Sequence, residues 1–447
     1  MIWLIDYTTY SVEIDPVLMD LKAKYFRVKA LKRQLVIGDT SPVKTLTYSN
    51  GLLRIATLLK QNHVECRYLH YSELIDALDK GEPLPEIVAF STVCPTVPRA
   101  AALAERIKKQ SPSTKVVVGG PQINYAPKKS KAKYPVFDKF NTGHEIDAAS
   151  SLAGFPIKST GNYLDFSLLP LPLEEYAINT FTSLGCPFNC DYCADGRAPK
   201  VCVSNDAMIS QMNCLPKRKL VHIFDSVFGY STERALAICK NLQNLNHGFL
   251  LSCDMRADLL TEQLVKEMVK AGFVEIRLGI ESADEELLTE NGRTLMPGRC
   301  IEKLKMIREN SNLYITLYSI TGLPGTTVSG HERTLDMFHN LLVTHKADEI
   351  KNSLYVPYPY DDTDYSSQGV RILDEDWSHY DRQSYPVFDT QLINRNKIWE
   401  LYLKTAQVIA DSWLESLGFS SYDEVPEIDN YGEYIQTNYS IKKWGSN

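Results

Sequence analysis

Short apolar runs alternate with amphipathic stretches along most of this chain, and they do so in two separate series. Within residues 1–145 the apolar runs are IWLID, VECRYLHY, EIVAFSTV, KVVVGG and VFDKFNTG, and GLLRIATLLKQ and RAAALAERIKKQ lie between them. Runs of this length separated by helical periodicity predict alternating strands and helices. Such alternation builds a parallel sheet covered by helices, whose ligands sit at the carboxyl ends of the strands. The second series is AINTFTSLG, LVHIFDSVF, GFLLSCDMRADL, VEIRLGIESAD, LYITLYSITGLPG and EIKNSLYVPYPY, with TERALAICKNLQNL, TEQLVKEMVKAG and RCIEKLKMIREN among its helical stretches. Six strand and helix pairs suffice to curl into part of a barrel. Thr261 is expected to cap one of these helices and Gly272 to end it.

The expected fold class is therefore α/β. A Rossmann-like parallel-sheet domain is expected over 1–145, and a connector over 146–176 where Pro156, Pro170 and Pro172 interrupt regular structure. A partial (β/α)6 TIM-like barrel is expected over 177–360 and a helical C-terminal extension over 361–447. A chain of 447 residues is too long for one ordinary core, in agreement with that division.

Composition excludes several classes. Charged residues make up 23% and hydrophobic ones 44%, which leaves no room for a large disordered part. A net charge of −7 argues against a protein that coats nucleic acid. The lysine-rich stretch APKKSKAKYP at 126–135 has no aromatic residue inside its basic run and reads as a solvated loop. No apolar run reaches the roughly 18 residues of a membrane span. The first residues, MIWLIDYTTYS, lack a basic region and read as a buried strand, not a signal peptide. Ten cysteines without a secretion signal point to a reducing compartment, the cytoplasm.

Three of those cysteines, Cys186, Cys190 and Cys193, share the stretch TSLGCPFNCDYCADG at 182–196. Structural zinc wants a closed set of four ligands, and no second Cys-x-x-Cys or His-x-x-x-His accompanies them; Cys202 and Cys214 stand singly downstream. Three unliganded buried thiols are another reading. The third is an iron–sulfur cluster held by thiolates. A [4Fe-4S] cube with three protein ligands leaves one iron open to a substrate or cofactor.

The pattern Cys186-x3-Cys190-x2-Cys193, following a strand and with Tyr192 before the last cysteine, resembles the signature of the radical S-adenosylmethionine (SAM) superfamily. The resemblance implies that SAM chelates the open iron. One electron, from a donor such as flavodoxin or ferredoxin, then cleaves it to a 5'-deoxyadenosyl radical that takes a hydrogen atom from the substrate. Three later stretches support it. GIES, Gly279 to Ser282, matches the place where the family commonly binds the SAM ribose, which gives Glu281 and Ser282 a cofactor-binding role. ITGLPGTT at 320–327, with Gly322, resembles the turn near the adenosyl moiety. PYPYDDTDY resembles the family's Pro-Tyr-Pro-Gly-Thr-like segment, with Tyr360 where glycine is more usual.

Strand alternation places Glu275, Arg277, Gly279 and Glu281 on one face of the fourth barrel strand, and Ser252, Asp254 and Arg256 on one face of the third. Asp225 lies at a matching strand end. Barrel interiors are ordinarily filled with branched apolar side chains, so these positions suggest a polar small-molecule ligand; exposed strand ends and mutual ion pairs are the alternatives. Arg277 and Arg256 suit a carboxylate of SAM or of the substrate. Asp225 and Asp254 are candidates for holding substrate hydroxyl or amino groups. His222 and His247 read as structural histidines, since no second member of a metal set accompanies either.

The N-terminal order IVAFSTVCPTVPRAAALAERIKK, KVVVGGPQ and NTGHE resembles the cobalamin-binding domain that precedes the radical SAM core in one subclass. Gly119 and Gly120 match its Gly-Gly turn, and Gly143-His144-Glu145 partly matches a second turn. No Asp-x-His-x-x-Gly motif supplies a histidine to cobalt. With cobalamin bound, the resemblance implies methylation of an unactivated carbon in natural-product biosynthesis, antibiotics included. Without it, the expectation is radical dehydration or rearrangement of a diol such as an amino sugar. A non-catalytic iron–sulfur electron carrier is a third reading, which would not need a polar barrel interior.

Overall fold

The computed structural model describes residues 1–7, 12–37, 46–159, 163–215, 220–245, 248–426 and 439–441, so His247 lies outside the described residues. The N-terminal sheet has five parallel strands: β1 (Ile2–Asp6), β2 (Cys66–His70), β3 (Ile87–Ser91), β4 (Lys115–Gly119) and β5 (Lys139–Phe140). Their spatial order is β2-β1-β3-β4-β5, and the order reverses between β1 and β3. Both faces are covered, which is why β1 is apolar from Ile2 to Ile5. Ile2 and Leu4 pack with Leu53, Tyr68 and Val117 on one side, while Trp3 and Ile5 pack with Phe90, Ala104 and Val118 on the other.

The second sheet has six parallel strands: β6 (Ile178–Thr180), β7 (Leu220–Ile223), β8 (Leu250–Met255), β9 (Phe273–Glu281), β10 (Tyr314–Thr321) and β11 (Glu349–Leu354). They lie in sequence order from edge to edge, the arrangement of a partial (β/α) barrel. Ile276, Leu278 and Ile280 of β9 face outward into the core beneath the helices. Thr261 caps the helix Glu262–Lys270 by accepting from the Leu264 N–H at 3.1 Å, and Gly272 follows its end at φ +90°.

Segments distant in sequence tie the two sheets together. The helix Pro16–Ile37 follows β1 yet packs on the barrel, with Val28 in the barrel core and Tyr25 stacked on Trp413 at 4.5 Å. The C-terminal extension contains an antiparallel ribbon, Val370–Ile372 with Phe388–Thr390, and the helix Arg395–Ser416. Phe388 and Ile398 of that extension share a core with Ile5 and Phe90 of the first sheet and Leu323 of the barrel. Among the described residues no helix is long and apolar enough to cross a membrane.

Candidate active site

The cysteine loop leaves the barrel rim through a two-residue ribbon in which Ser183 pairs with Cys202 and Leu184 with Val201. Its entrance is held by Asp225, just past β7. This buried carboxylate accepts from the backbone N–H groups of Thr182 at 2.6 Å and Ser183 at 2.9 Å, and from both hydroxyls. Burial raises the Asp225 pKa against the pull of those donors. The loop is then folded on itself: the Cys186 N–H donates to the Asp195 carbonyl at 2.9 Å and the Cys193 N–H to the Cys190 carbonyl at 3.0 Å.

All three thiols are free. Burial pushes Cys193 up to about 12, and Asp195, Cys186 and Cys190 contribute, so the three sulfurs share one neighbourhood. Among the described residues no three His, Cys, Asp or Glu side chains converge on a single ion. Thiols spaced around one loop suit a multi-iron cluster with one thiolate per iron better than a tetrahedral zinc.

A set of buried ion pairs surrounds the loop. The Arg256 guanidinium lies 3.7 Å from the Phe188 ring centroid and donates to the Asp258 carboxylate at 3.0 and 2.8 Å. Arg293 donates to the Tyr192 hydroxyl at 3.0 Å, to Glu281 at 3.3 Å and to the Gly279 carbonyl at 2.6 Å. Glu281 adopts φ +63° where β9 is bulged, and a Cβ at Gly279 would collide with its carboxylate. Burial raises the Glu281 pKa, opposed by the charges of Arg293 and Arg382. Ser282 is buried, 3.0 Å from the Thr334 hydroxyl, and accepts from the Asp284 N–H at 3.1 Å. Gly322 has φ +85°, and a Cβ there would stand 2.8 Å from Ile398.

Sequence reasoning passed over Arg293 and Arg382. Arg293 follows an Asn-Gly pair, a turn signal that could have drawn attention to it. Arg382 belongs to no motif and lies in the C-terminal extension.

Inside the barrel, Asp254 and Arg277 come together as cross-strand neighbours. Asp254 is 3.1 Å from His222 Nε2 and accepts from the Tyr318 hydroxyl at 2.9 Å. His222 Nδ1 is 2.9 Å from the Ser252 hydroxyl. Burial and the charge of Arg277 lower the His222 pKa against the pull of Asp254. Burial would raise Asp254, but His222, Arg277 and Tyr318 outweigh it and hold the carboxyl below its usual value. Arg277 donates from Nε to Glu275 at 2.8 Å. Thus His222 joins a network with the two residues singled out from the strand pattern.

The carboxyl edge of the N-terminal sheet faces this same rim. Tyr125, in the short helix after β4, packs on Tyr360 with centroids 5.4 Å apart, and the Asp361 N–H donates to its carbonyl at 3.1 Å. Burial raises the Tyr125 pKa to about 12, and Asp195 and Cys193 add to the shift. Asp361 also accepts from the N–H groups of Lys128 and Lys129 at 2.8 and 3.0 Å, which fixes the lysine-rich segment as a helix, Pro127–Lys133. At the Gly119–Gly120 turn the Gly119 carbonyl accepts from the Thr92 N–H at 2.9 Å, and Gly120 has φ +104°. Beside that turn, the buried Gln122 amide nitrogen and the Tyr7 hydroxyl have no partner among the described residues. Unsatisfied polar groups at strand ends suit a bound polar cofactor, since leaving them unpaired is costly.

Residues 180–338 match the model of the radical SAM superfamily. An uncharacterized methyltransferase of Pyrococcus horikoshii is 23% identical over 374 residues, covering 74% of this chain and 79% of that protein. A tRNA-2-methylthio-N(6)-dimethylallyladenosine synthase of Herpetosiphon aurantiacus is 24% identical over 258 residues, 53% of this chain and 57% of that protein. Among solved structures, the radical SAM methyltransferase TsrM from Kitasatospora setae, with tryptophan substrate and the SAM analog aza-SAM bound, matches with a TM-score of 0.63 at 13% identity, covering 99% of this chain and 97% of that one. The cobalamin-dependent SAM radical enzyme OxsB, with aqua-cobalamin and SAM bound, matches with a TM-score of 0.55 at 14% identity, covering 76% of this chain and 51% of that one. The shared fold runs through the N-terminal sheet, the barrel and the C-terminal extension.

Proposed function

We propose that this radical SAM enzyme methylates an unactivated carbon of a polar small molecule in natural-product biosynthesis. Cys186, Cys190 and Cys193 hold a [4Fe-4S] cluster, SAM binds at that cluster, and cobalamin lies between the N-terminal sheet and the barrel. The observation that carries this reading is the position of Tyr125, packed on Tyr360 and in the neighbourhood of Cys193. A ligand on the carboxyl edge of the first sheet therefore faces the cysteine loop. When bound, the cluster with SAM supplies a 5'-deoxyadenosyl radical and cobalamin carries the methyl group.

The chain's own residues divide the remaining work. Asp225 fixes where the cysteine loop begins, and Arg256 holds it from below through Phe188. Arg293 joins Tyr192 to Glu281 and thereby keeps the loop against the end of β9. Ser282 and Gly322 shape the turns on that rim, and Gly119 and Gly120 shape the opposite one. Asp254, His222, Arg277 and Tyr318 present hydrogen-bonding groups to the substrate, whose specificity follows because buried partners are costly to leave unmatched. The methyltransferase relative and the bound ligands of TsrM and OxsB support the reading. The electron comes from a donor protein of the flavodoxin or ferredoxin type.

Anaerobic purification and reconstitution, followed by cobalamin, dithionite and SAM, tests it. The expected result is retained corrinoid and formation of S-adenosylhomocysteine together with 5'-deoxyadenosine. Corrinoid-free protein that forms 5'-deoxyadenosine and methionine alone would overturn methylation in favour of dehydration or rearrangement. Absence of any SAM cleavage would leave an electron carrier.

A further inference from the structure

The rim beside the cysteine loop receives one arginine from outside the barrel. Arg382 belongs to the C-terminal extension, between the short 3-10 helix Trp377–His379 and the strand Phe388–Thr390. Its carbonyl accepts from the N–H of Leu354, the last residue of β11, at 2.9 Å, which fixes it at the carboxyl end of the sixth barrel strand. Asp381 accepts from the Gln383 N–H at 2.8 Å and so closes a local turn around Arg382. The Arg382 guanidinium donates to the Tyr358 hydroxyl. Tyr358 has its ring centroid 6.0 Å from that of Tyr360, on which Tyr125 of the first domain packs. Glu281 and Cys193 are also in the neighbourhood of Arg382. The end of β9, the cysteine loop and the edge of the N-terminal sheet therefore converge on this side chain.

The other arginines at the loop are committed to carboxylates. Arg256 donates to Asp258 at 3.0 and 2.8 Å, Arg293 to Glu281 at 3.3 Å, and Arg197 to Asp362 at 2.9 Å. Arg382 is held instead by a neutral phenol, which leaves N–H groups of its five to spare. The Tyr358 phenol first, then Cys193 and Asp381, raise its pKa against desolvation by the protein around it, and the side chain is exposed all the same. A group crowded by protein and still open to solvent lines a cleft.

A planar guanidinium with donors to spare matches a carboxylate, and it stays charged at every pH at which the protein works. We propose that Arg382 binds the methionyl carboxylate of SAM, so that the C-terminal extension completes the SAM site from outside the barrel. Arg256, expected from its strand position to meet such a carboxylate, serves the cysteine loop through Phe188 instead. This inference rests on SAM binding at the cysteine loop as proposed above, and it assigns one residue of that site.

Equilibrium dialysis of the anaerobically reconstituted full chain with radiolabelled SAM, and with radiolabelled decarboxylated SAM, tests it. Arg382→Met should bind SAM about tenfold more weakly than wild type and lose nothing toward decarboxylated SAM. Arg382→Lys should recover part of the loss, because the charge returns without the planar fork. Iron and sulfide contents should match wild type in both variants, since Asp225, Arg256 and Arg293 hold the cysteine loop. The proposal is overturned by an unchanged SAM affinity in Arg382→Met, by an equal loss toward both compounds, by an Arg382→Lys variant no better than Arg382→Met, or by loss of iron from both variants. Wild-type protein that holds its cluster and binds no SAM would overturn the proposed function itself, whereas wild type that binds SAM beside an unaffected variant overturns only the role of Arg382.

Discussion

Arg33 donates to the Glu275 carboxylate at 2.9 Å across a separation of 242 residues. The pair closes the floor of the barrel with a helix that follows the first strand of the other sheet. Glu275 is fully buried, and Arg277 together with Arg33 holds its pKa well below the usual carboxylate range despite the cost of burial. Removing one partner of a buried ion pair leaves an uncompensated charge. Arg33→Ala should therefore lower stability by about 3 kcal/mol, read as a lower midpoint in urea unfolding. A loss below about 1 kcal/mol would mean that Arg277 satisfies Glu275 alone.

Replacing Cys186, Cys190 or Cys193 singly by Ala should abolish retention of a four-iron cluster, because in the proposed site each thiolate would ligate a different iron. Iron and sulfide analysis after anaerobic reconstitution checks this. Cys202→Ala and Cys214→Ala should retain the full iron content, since both thiols are exposed and stand outside the loop.

Gly120 lies at φ +104°, and a Cβ there would stand 2.6 Å from the Thr92 backbone nitrogen. Gly120→Ala should cost about 2 kcal/mol or more through left-handed strain and displacement of the loop after β3. If cobalamin lies on that edge, retained corrinoid should fall in the same variant, measured by absorbance after gel filtration.

His331 joins the helix Val328–Val343 to the helix Arg395–Ser416, its Nε2 2.9 Å from the Thr405 hydroxyl. Burial lowers its pKa from 6.5 to about 4, and the charge of Lys404 adds to the effect. A histidine held neutral in the fold contributes stability that is complete above pH 6.5 and is lost as pH falls toward 4. Unfolding free energy should decline across that window by up to about 3 kcal/mol, and His331→Gln should flatten that part of the curve.

Much of the fold was legible because its signals are local. Apolar runs such as IWLID and KVVVGG mark strands covered on both faces, and Thr261 and Gly272 bracket a helix by their own backbone chemistry. Period-two alternation also put Glu275, Arg277 and Asp254 on the inward face. It left their partners unstated. Arg277 and Arg256, expected either to meet a carboxylate of SAM or substrate or to form mutual ion pairs, hold Glu275 and Asp258. Asp225, read as a substrate contact, spends its oxygens on Thr182 and Ser183. His222, read as a lone structural histidine, stands between Ser252 and Asp254.

Local spacing along the chain dictates the two α/β units, the inward-facing strand positions and the three thiols on one loop, because each depends on a few neighbouring residues. Which charges meet follows from long-range packing: Arg33 with Glu275, Arg293 with Glu281, and Lys351 with Glu349 at 3.9 Å. The first of those pairings joins residues far apart in the chain, and a charged side chain carries no periodic signal that names its partner. Its identity as ligand, frame or vacancy is settled by what packing brings within hydrogen-bond distance.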